Sequence, residues 1–192
     1  LSLLNIAGGR IIFLIWTHPD DFNPMIDIKK AGMEDWQKIR NIAFETWPVT
    51  YGTLMPMEQV HYLLEKLFSR HTIQSQMNEN GHVYLLAESE GIQVGFASYE
   101  INYRGQPRMM IHKLYVSPAL QGNGIGTQVL DALTGIASQK HQTALRLKVY
   151  YLNRKAIRFY EKYGFVKTGI EKTDPGNRFI IEDEVMIREL LS

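Results

Sequence analysis

The 192-residue chain contains no cysteine. That excludes a disulfide framework, thiolate metal sites and a cysteine nucleophile, and it fits a reducing, cytoplasmic setting. Charge of one sign is also missing. Lys and Arg number 21 against 20 Asp and Glu, a formal net charge of +1. No field of that size points to nucleic acid or to an anionic membrane. Long apolar runs are absent too. Ile11 to Trp16 is apolar but covers six residues after Gly8, Gly9 and Arg10, whereas a spanning helix needs about 20. A secretory leader would want a longer apolar core and small residues at a cleavage point. What remains is ordinary for a globular domain, 45% apolar and 21% charged residues, at a length suited to one well-buried core.

Met25 opens a segment that reads as a first strand and helix. Residues 25–192 are therefore expected to form a single domain. Residues 1–24 are expected to be an upstream extension, or equally a short arm packing on the domain or on a partner subunit. No repeat, low-complexity tract or linker divides the chain. The pattern predicts a strand to Lys30 and a helix from Met33 to Trp47, stopped by Pro48. Further helices follow at Met57 to Phe68 and near Ser69 to Met77. The period then changes to two. Val83 to Ser89 and Ile92 to Tyr103 read as a hairpin turning at Glu90-Gly91, with Arg108 to Val116 as a third strand. A helix is expected from about Gly124 to Lys140, and a strand from Ala144 to Tyr150. A short helix from Arg154 to Tyr163 and two closing strands, Phe165 to Glu171 and Phe179 to Glu189, complete the pattern. The order β-α-α-β-β-β-α-β-α-β-β predicts an α/β (α+β) fold, a mixed sheet with helices on both faces.

The most informative stretch is Lys113 to Leu133. A strand ends at Val116, Pro118 breaks it, and Gly122, Gly124 and Gly126 alternate before an amphipathic helix. Residues without Cβ let backbone N–H groups approach an anion, and a helix N-terminus adds its positive end. A pyrophosphate suits such a loop; a glycine turn with no ligand is the competing reading. The dinucleotide fingerprint fails because its third glycine would fall on Thr127. A Walker A loop fails because no lysine follows Gly126.

The loop Q-G-N-G-I-G, after a strand ending L-Y-V-S-P, resembles the main acetyl-CoA signature of the GNAT acetyltransferase superfamily, [QR]-x-x-G-x-[GA], with Gln121, Gly124 and Gly126 in its defined positions. Further on, Asn153, Ala156, Tyr160, Gly164 and Phe165 resemble the second motif of that family. The resemblance runs from about Met25 to the C-terminus and implies a largely antiparallel central sheet. It also implies an acetyl-CoA-dependent N-acetyltransferase, with attack by the amine in a ternary complex and with no metal.

Residue roles follow from the resemblance. Gln121, Gly122, Asn123, Gly124, Ile125, Gly126 and Thr127 would hold the pyrophosphate. Leu114, Tyr115 and Val116 would pair their backbone with the pantetheine arm, and an N–H there, that of Val116, would polarise the thioester carbonyl. Asn153 would contact pantetheine or simply cap the following helix. Arg154 or Lys155 would meet the 3′-phosphate or remain solvated. Tyr160 is the candidate general acid, since a phenol keeps its proton at neutral pH; packing is its alternative role, and Tyr163 reads as packing. His112, taken to share a strand face with Leu114 and Val116, is the candidate base or else a structural histidine. Glu100 is the second choice for the base. Histidines 18, 61, 71, 82 and 141 show no ligand spacing.

Glu45, Trp47 and Tyr51 are expected to form an acidic, aromatic pocket for a cationic amine, or to be packing residues. The helix pair, K-L-Y-V and F-Y-E-K-Y-G-F-V-K-T-G are similar to the polyamine acetyltransferase branch, so the expected partner is a small amine, with a homodimer as the expected assembly. The alternatives are a protein N-terminal or lysine acetyltransferase and a non-catalytic acetyl-CoA-binding module.

Overall fold

The computed structural model describes residues 26–190 and, before them, the backbone of β1 (Ile6–Ala7) and β2 (Arg10–Ile11). β1 and β2 pair as a two-stranded antiparallel ribbon. The expectations for the rest of residues 1–24, and for Met25, fall outside the described residues.

Seven further strands make one sheet. They are β3 (Asp27–Lys30), β4 (Val83–Ser89), β5 (Ile92–Glu100), β6 (Arg108–Val116), β7 (Ala144–Tyr150), β8 (Val166–Gly176) and β9 (Phe179–Glu189). Their spatial order is β3-β4-β5-β6-β7-β9-β8. Every neighbouring pair is antiparallel except β6 with β7. The helices are α1 (Trp36–Tyr51), α2 (Met57–Leu67), α3 (Arg70–Asn78), α4 (Ile125–Gln139) and α5 (Arg154–Lys162). This is the mixed α/β architecture that the sequence predicts, with α3 as a third helix ahead of β4. Among the described residues no helix is long and apolar enough to cross a membrane.

Burial on both sheet faces explains the layers. Along β4, Tyr84 and Leu86 enter one apolar cluster, while Leu85 and Ala87 enter the other, as period-two alternation requires. The first cluster is roofed by Ile39, Ile42, Ala43 and Trp47 of α1 and by Val60, Leu63 and Leu64 of α2. The second is roofed by Ile125, Val129, Leu130, Leu133 and Ala137, one stripe of α4. The β4–β5 turn places Glu90 (φ 51°) and Gly91 (φ 81°) in the left-handed region, the conformation that matches hairpin twist.

Three boundaries differ from expectation. Pro48 does not stop α1, which runs through it to Tyr51, and the Pro48 carbonyl accepts the Gly52 N–H at 3.0 Å. A proline in the last turn removes a single helical hydrogen bond, and the buried stripe through Thr46 and Trp47 outweighs it. β5 ends at Glu100 because Asn102 and Arg104 turn left-handed, at φ 54° and 55°. β8 continues past Glu171 to Gly176, paired against β9.

Two irregularities in β6 shape the middle of the molecule. Its pairing with β7 covers Arg108–Ile111 against Ala144–Leu147 and goes no further, so the two strands part. Its register with β5 shifts between Ser98 and Tyr99, leaving His112 as the extra residue of a bulge. The core under α4 sets the stability of this arrangement. Leu130 is fully buried there, and Leu130→Ala is expected to cost roughly 2–5 kcal/mol, to be measured by urea unfolding.

Candidate active site

Where β6 and β7 part, a cleft of about 1000 Å³ opens. Its first wall is backbone. The Ser117 N–H bonds the Val94 carbonyl at 2.9 Å, and in an antiparallel ladder alternate residues turn their N–H groups to opposite sides. Leu114 and Val116 therefore direct theirs away from β5, into the gap left by β7. The Val116 carbonyl is taken by Gln121 Nε2 at 3.2 Å, and Gln121 Oε1 accepts from Lys155 Nζ at 2.7 Å. Gln121 thus ties the strand end to the loop and to α5.

The glycine loop continues this wall. Gly122 and Gly124 take φ of 92° and 74°, and Gly124 caps α4 with no side chain to accept a hydrogen bond. Gln128 N–H is the first to bond back to Gly124, at 3.1 Å, so the amides of Ile125, Gly126 and Thr127 lack intrahelical acceptors. They form an uncapped, positive helix end, which suits a phosphate. A Cβ on Gly126 would stand 3.1 Å from Phe159 Cζ, so this glycine also lets α4 pack on α5. Gln121, Gly122, Gly124, Gly126 and Thr127 line the cleft. The Ile125 side chain is buried in the core, and Asn123 is not among the lining residues. Arg154 and Lys155 line the rim, with Arg154 also 3.7 Å from Glu184.

α5 begins at Asn153, whose Oδ1 accepts the Ala156 N–H at 3.1 Å. The capping role is thus real, and Asn153 also lines the cleft. Two turns on, Tyr160 is buried at the cleft wall, its ring against Phe159 and Phe165. Burial, and then Tyr51, push its hydroxyl well above the ordinary phenol range, so it keeps its proton. Tyr115 is raised likewise, mainly by burial. Trp47 and Tyr51 of α1 also line the cleft, with ring centroids 4.8 Å apart, and Tyr51 meets Tyr150 at 6.3 Å.

Two sequence expectations need correction. Glu45 is exposed, bonds Ser117 Oγ at 2.7 Å, and does not line the cleft. One turn of α1 separates the outward position 45 from the inward pair Thr46 and Trp47. The carboxylate that does line the aromatic side is Asp183 of β9. His112, in turn, does not share a face with Leu114 and Val116. The bulge breaks the alternation, so Val116 and Leu114 pack under α4 while His112 stacks on His82, centroids 3.8 Å apart and planes 13° from parallel. Its Nε2 lies 3.0 Å from Glu100 Oε2.

Burial, reinforced by His82, Lys113, Lys148 and Arg146, pushes His112 down to about 3, and burial with Lys113 pushes His82 down to about 4. Both rings are neutral at pH 7. Burial raises the Glu100 carboxyl. Ligand atoms of His82, Glu100 and His112 lie within 4.8 Å of one another, a proximity that sequence spacing does not reveal. By donor type the trio suits a divalent cation. Its rings, however, stack face to face, and Lys113, Lys148 and Arg146 oppose added positive charge.

Comparison with known proteins places this geometry. The model of the acetyltransferase (GNAT) family matches residues 36–165. The spermidine N(1)-acetyltransferase of Thermoplasma acidophilum is 27% identical over 162 residues, covering 82% of this chain and 96% of that protein. The crystal structure of PaiA N-acetyltransferase from Thermoplasma acidophilum, in complex with coenzyme A, superposes with a TM-score of 0.70 at 24% identity, covering 86% of this chain and 99% of that one. A GCN5-related N-acetyltransferase structure from Rhodopseudomonas palustris gives 0.73 at 22% identity, covering 88% and 96%. At such identities the two structures speak for the fold alone.

Lys113, the first residue of K-L-Y-V, is the bulge's other product. It follows His112 onto the same face, 8% exposed, with Nζ donating to Gln76 Oε1 at 2.9 Å beneath the Tyr84 and Phe68 rings. Tyr84 shares that acceptor. Burial pushes the Lys113 amine from 10.5 down to about 7. Between those values the unfolded chain binds more protons than the native one, so native stability rises as pH climbs from about 7 to about 10.5. Below about 7 the penalty is complete. Lys113→Met is therefore expected to raise Tm by about 3 °C or more near pH 6, with the gain shrinking toward pH 10, as thermal unfolding across pH would show.

Proposed function

The chain belongs to the GNAT acetyltransferase family, and from that premise we propose that it moves an acetyl group from acetyl-CoA onto a small primary amine, a polyamine in particular, with both bound at once. One observation carries this reading: the outward amides of Leu114 and Val116 and the uncapped start of α4 face one cleft, beside buried Tyr160. Open backbone at an extended edge, then a phosphate-seeking helix end, is the donor set that a pantetheine arm and its pyrophosphate require. Bound acetyl-CoA supplies the activated thioester.

The residues then divide the work. Gln121, Gly122, Gly124, Ile125, Gly126 and Thr127 hold the pyrophosphate, Ile125 through its amide alone, while Asn123 lies outside the cleft lining. Leu114, Tyr115 and Val116 align the arm, with the Val116 N–H polarising the thioester carbonyl. Asn153 holds α5 in place beside it. Tyr160 carries its proton at neutral pH and donates toward the departing sulfur. Trp47 and Tyr51 wall the acceptor side, while Glu45, outside the cleft, takes no part in the pocket.

The acceptor amine must lose a proton, and His112 alone is a poor base because its ring resists a positive charge. Paired with Glu100 it has a way round. The ring receives a proton at Nδ1 as Nε2 gives one to the Glu100 carboxylate, so no cation accumulates in the buried site. The polyamine preference has its support in the 27% identical spermidine acetyltransferase and in the aromatic acceptor wall.

A free-thiol assay with acetyl-CoA and an amine panel tests the proposal. Spermidine or a similar amine should turn over, and Tyr160→Phe should lower kcat by about tenfold or more. Absence of turnover with any amine, while calorimetry shows acetyl-CoA bound, would favour a macromolecular acceptor or a binding module instead. The relay makes a separate demand. Glu100→Gln, His112→Ala and the double variant should each lose about 100-fold in kcat, with no additivity, because the pair acts as one unit. Additive losses would separate the two roles.

A further inference from the structure

Three consecutive acids, Glu182, Asp183 and Glu184, lie on β9. Glu182 pairs with Lys172 at 2.9 Å, and Glu184 pairs with Lys167 at 2.9 Å. Asp183, turned the opposite way by strand alternation, lines the cleft. Among the described residues its side chain makes no hydrogen bond and no ion pair within 4.0 Å. Burial raises its carboxyl; Lys148 attracts it, but Lys148 also faces Glu171 at 3.7 Å, and Glu171 repels Asp183. A carboxylate in a cleft with no close cation has spare capacity for one from outside.

The surroundings say which kind. Asp183 stands directly across the ladder from Tyr150, and its charge is felt at the hydroxyls of both Tyr150 and Tyr51. Aromatic faces beside a carboxylate suit an organic ammonium, which gains from both. A bare metal ion would need further oxygen or nitrogen ligands.

Position decides which ammonium. A carboxylate favours the protonated amine, and an amine that must attack has to be neutral. Asp183 belongs to the β7–β9 side of the cleft and the His112–Glu100 pair to the β5–β6 side. We propose that Asp183, walled by Tyr51 and Tyr150, seats a second, non-reacting ammonium of the acceptor, so that the enzyme selects di- and polyamines over monoamines. This rests on the reading of the cleft as an amine-acceptor site.

Equilibrium binding separates the seat from the chemistry. Calorimetry on protein saturated with CoA, which cannot react, would titrate spermidine and butylamine into wild type, Asp183→Asn and Asp183→Glu. The seat predicts about tenfold or greater weakening of spermidine binding in Asp183→Asn, the loss of one charge-assisted contact. Butylamine binding should change less than about twofold, and Asp183→Glu should recover most of the spermidine affinity. Unchanged CoA affinity in each variant confirms an intact cleft. The inference is overturned if Asp183→Asn binds spermidine as the wild type does, if butylamine weakens equally, or if the wild type binds no polyamine. Spermidine binding through Asp183 without acetylation would uphold the seat and overturn the transfer reading.

Discussion

The parting of two parallel strands governs this molecule. β6 and β7 share four paired positions and then separate, yet each keeps its outer neighbour, β5 on one side and β9 on the other. Both strands stay extended, so the amides and carbonyls facing the gap keep ladder geometry without ladder partners. Backbone polar groups left in that state need a guest or water. The cleft and its open backbone edge follow from that one mismatch. Gln121 satisfies the Val116 carbonyl, which leaves the adjacent N–H as the group facing the gap.

Electrostatics divides the cleft into ends of opposite preference. Toward α4, uncapped amides with Lys155 and Arg154 at the rim favour an anion. Toward β9, Asp183 among tyrosine rings favours a cation. Between them lie groups that burial has disarmed: neutral His82 and His112, and a lysine half deprotonated near pH 7. Such a centre resists an added positive charge. Proton movement through a bonded pair, rather than charge storage on one ring, is the chemistry this environment tolerates.

Much of the fold was legible because burial writes itself as period. The stripe of α4 and the alternation of β4 follow from the apolar positions alone, and Glu90-Gly91 announced its turn. The glycine loop and Tyr160 were legible as motifs. What the sequence hid were departures from period. A one-residue bulge at His112 is invisible in the string R-M-M-I-H-K-L-Y-V, yet it moves His112 and Lys113 to one face and brings His82 against His112 across 30 positions of sequence. Asp183 was hidden for another reason. In the run Glu-Asp-Glu any member fits an exposed strand, and only the ladder shows which one turns inward. Glu45 misled because an aromatic neighbour in sequence is not a neighbour on a helix face. Pro48 misled because a proline in a final turn costs less than one in mid-helix.

The three glycines of the loop illustrate how one motif can rest on separate causes. Gly122 has open space where a Cβ would go, so its requirement is conformational, the left-handed φ of 92°. Gly124 needs the same region to turn the chain into α4. Gly126 is helical and unstrained; its requirement is steric, the approach of Phe159. The backbone is thus held in its anion-receiving shape by turn geometry and by α4–α5 packing, before any ligand arrives. A loop shaped by the fold rather than by its guest avoids the ordering cost that a flexible loop incurs on binding. The two helix ends differ accordingly: Asn153 closes the start of α5, which carries Tyr160, while the first amides of α4 are left without a side-chain cap.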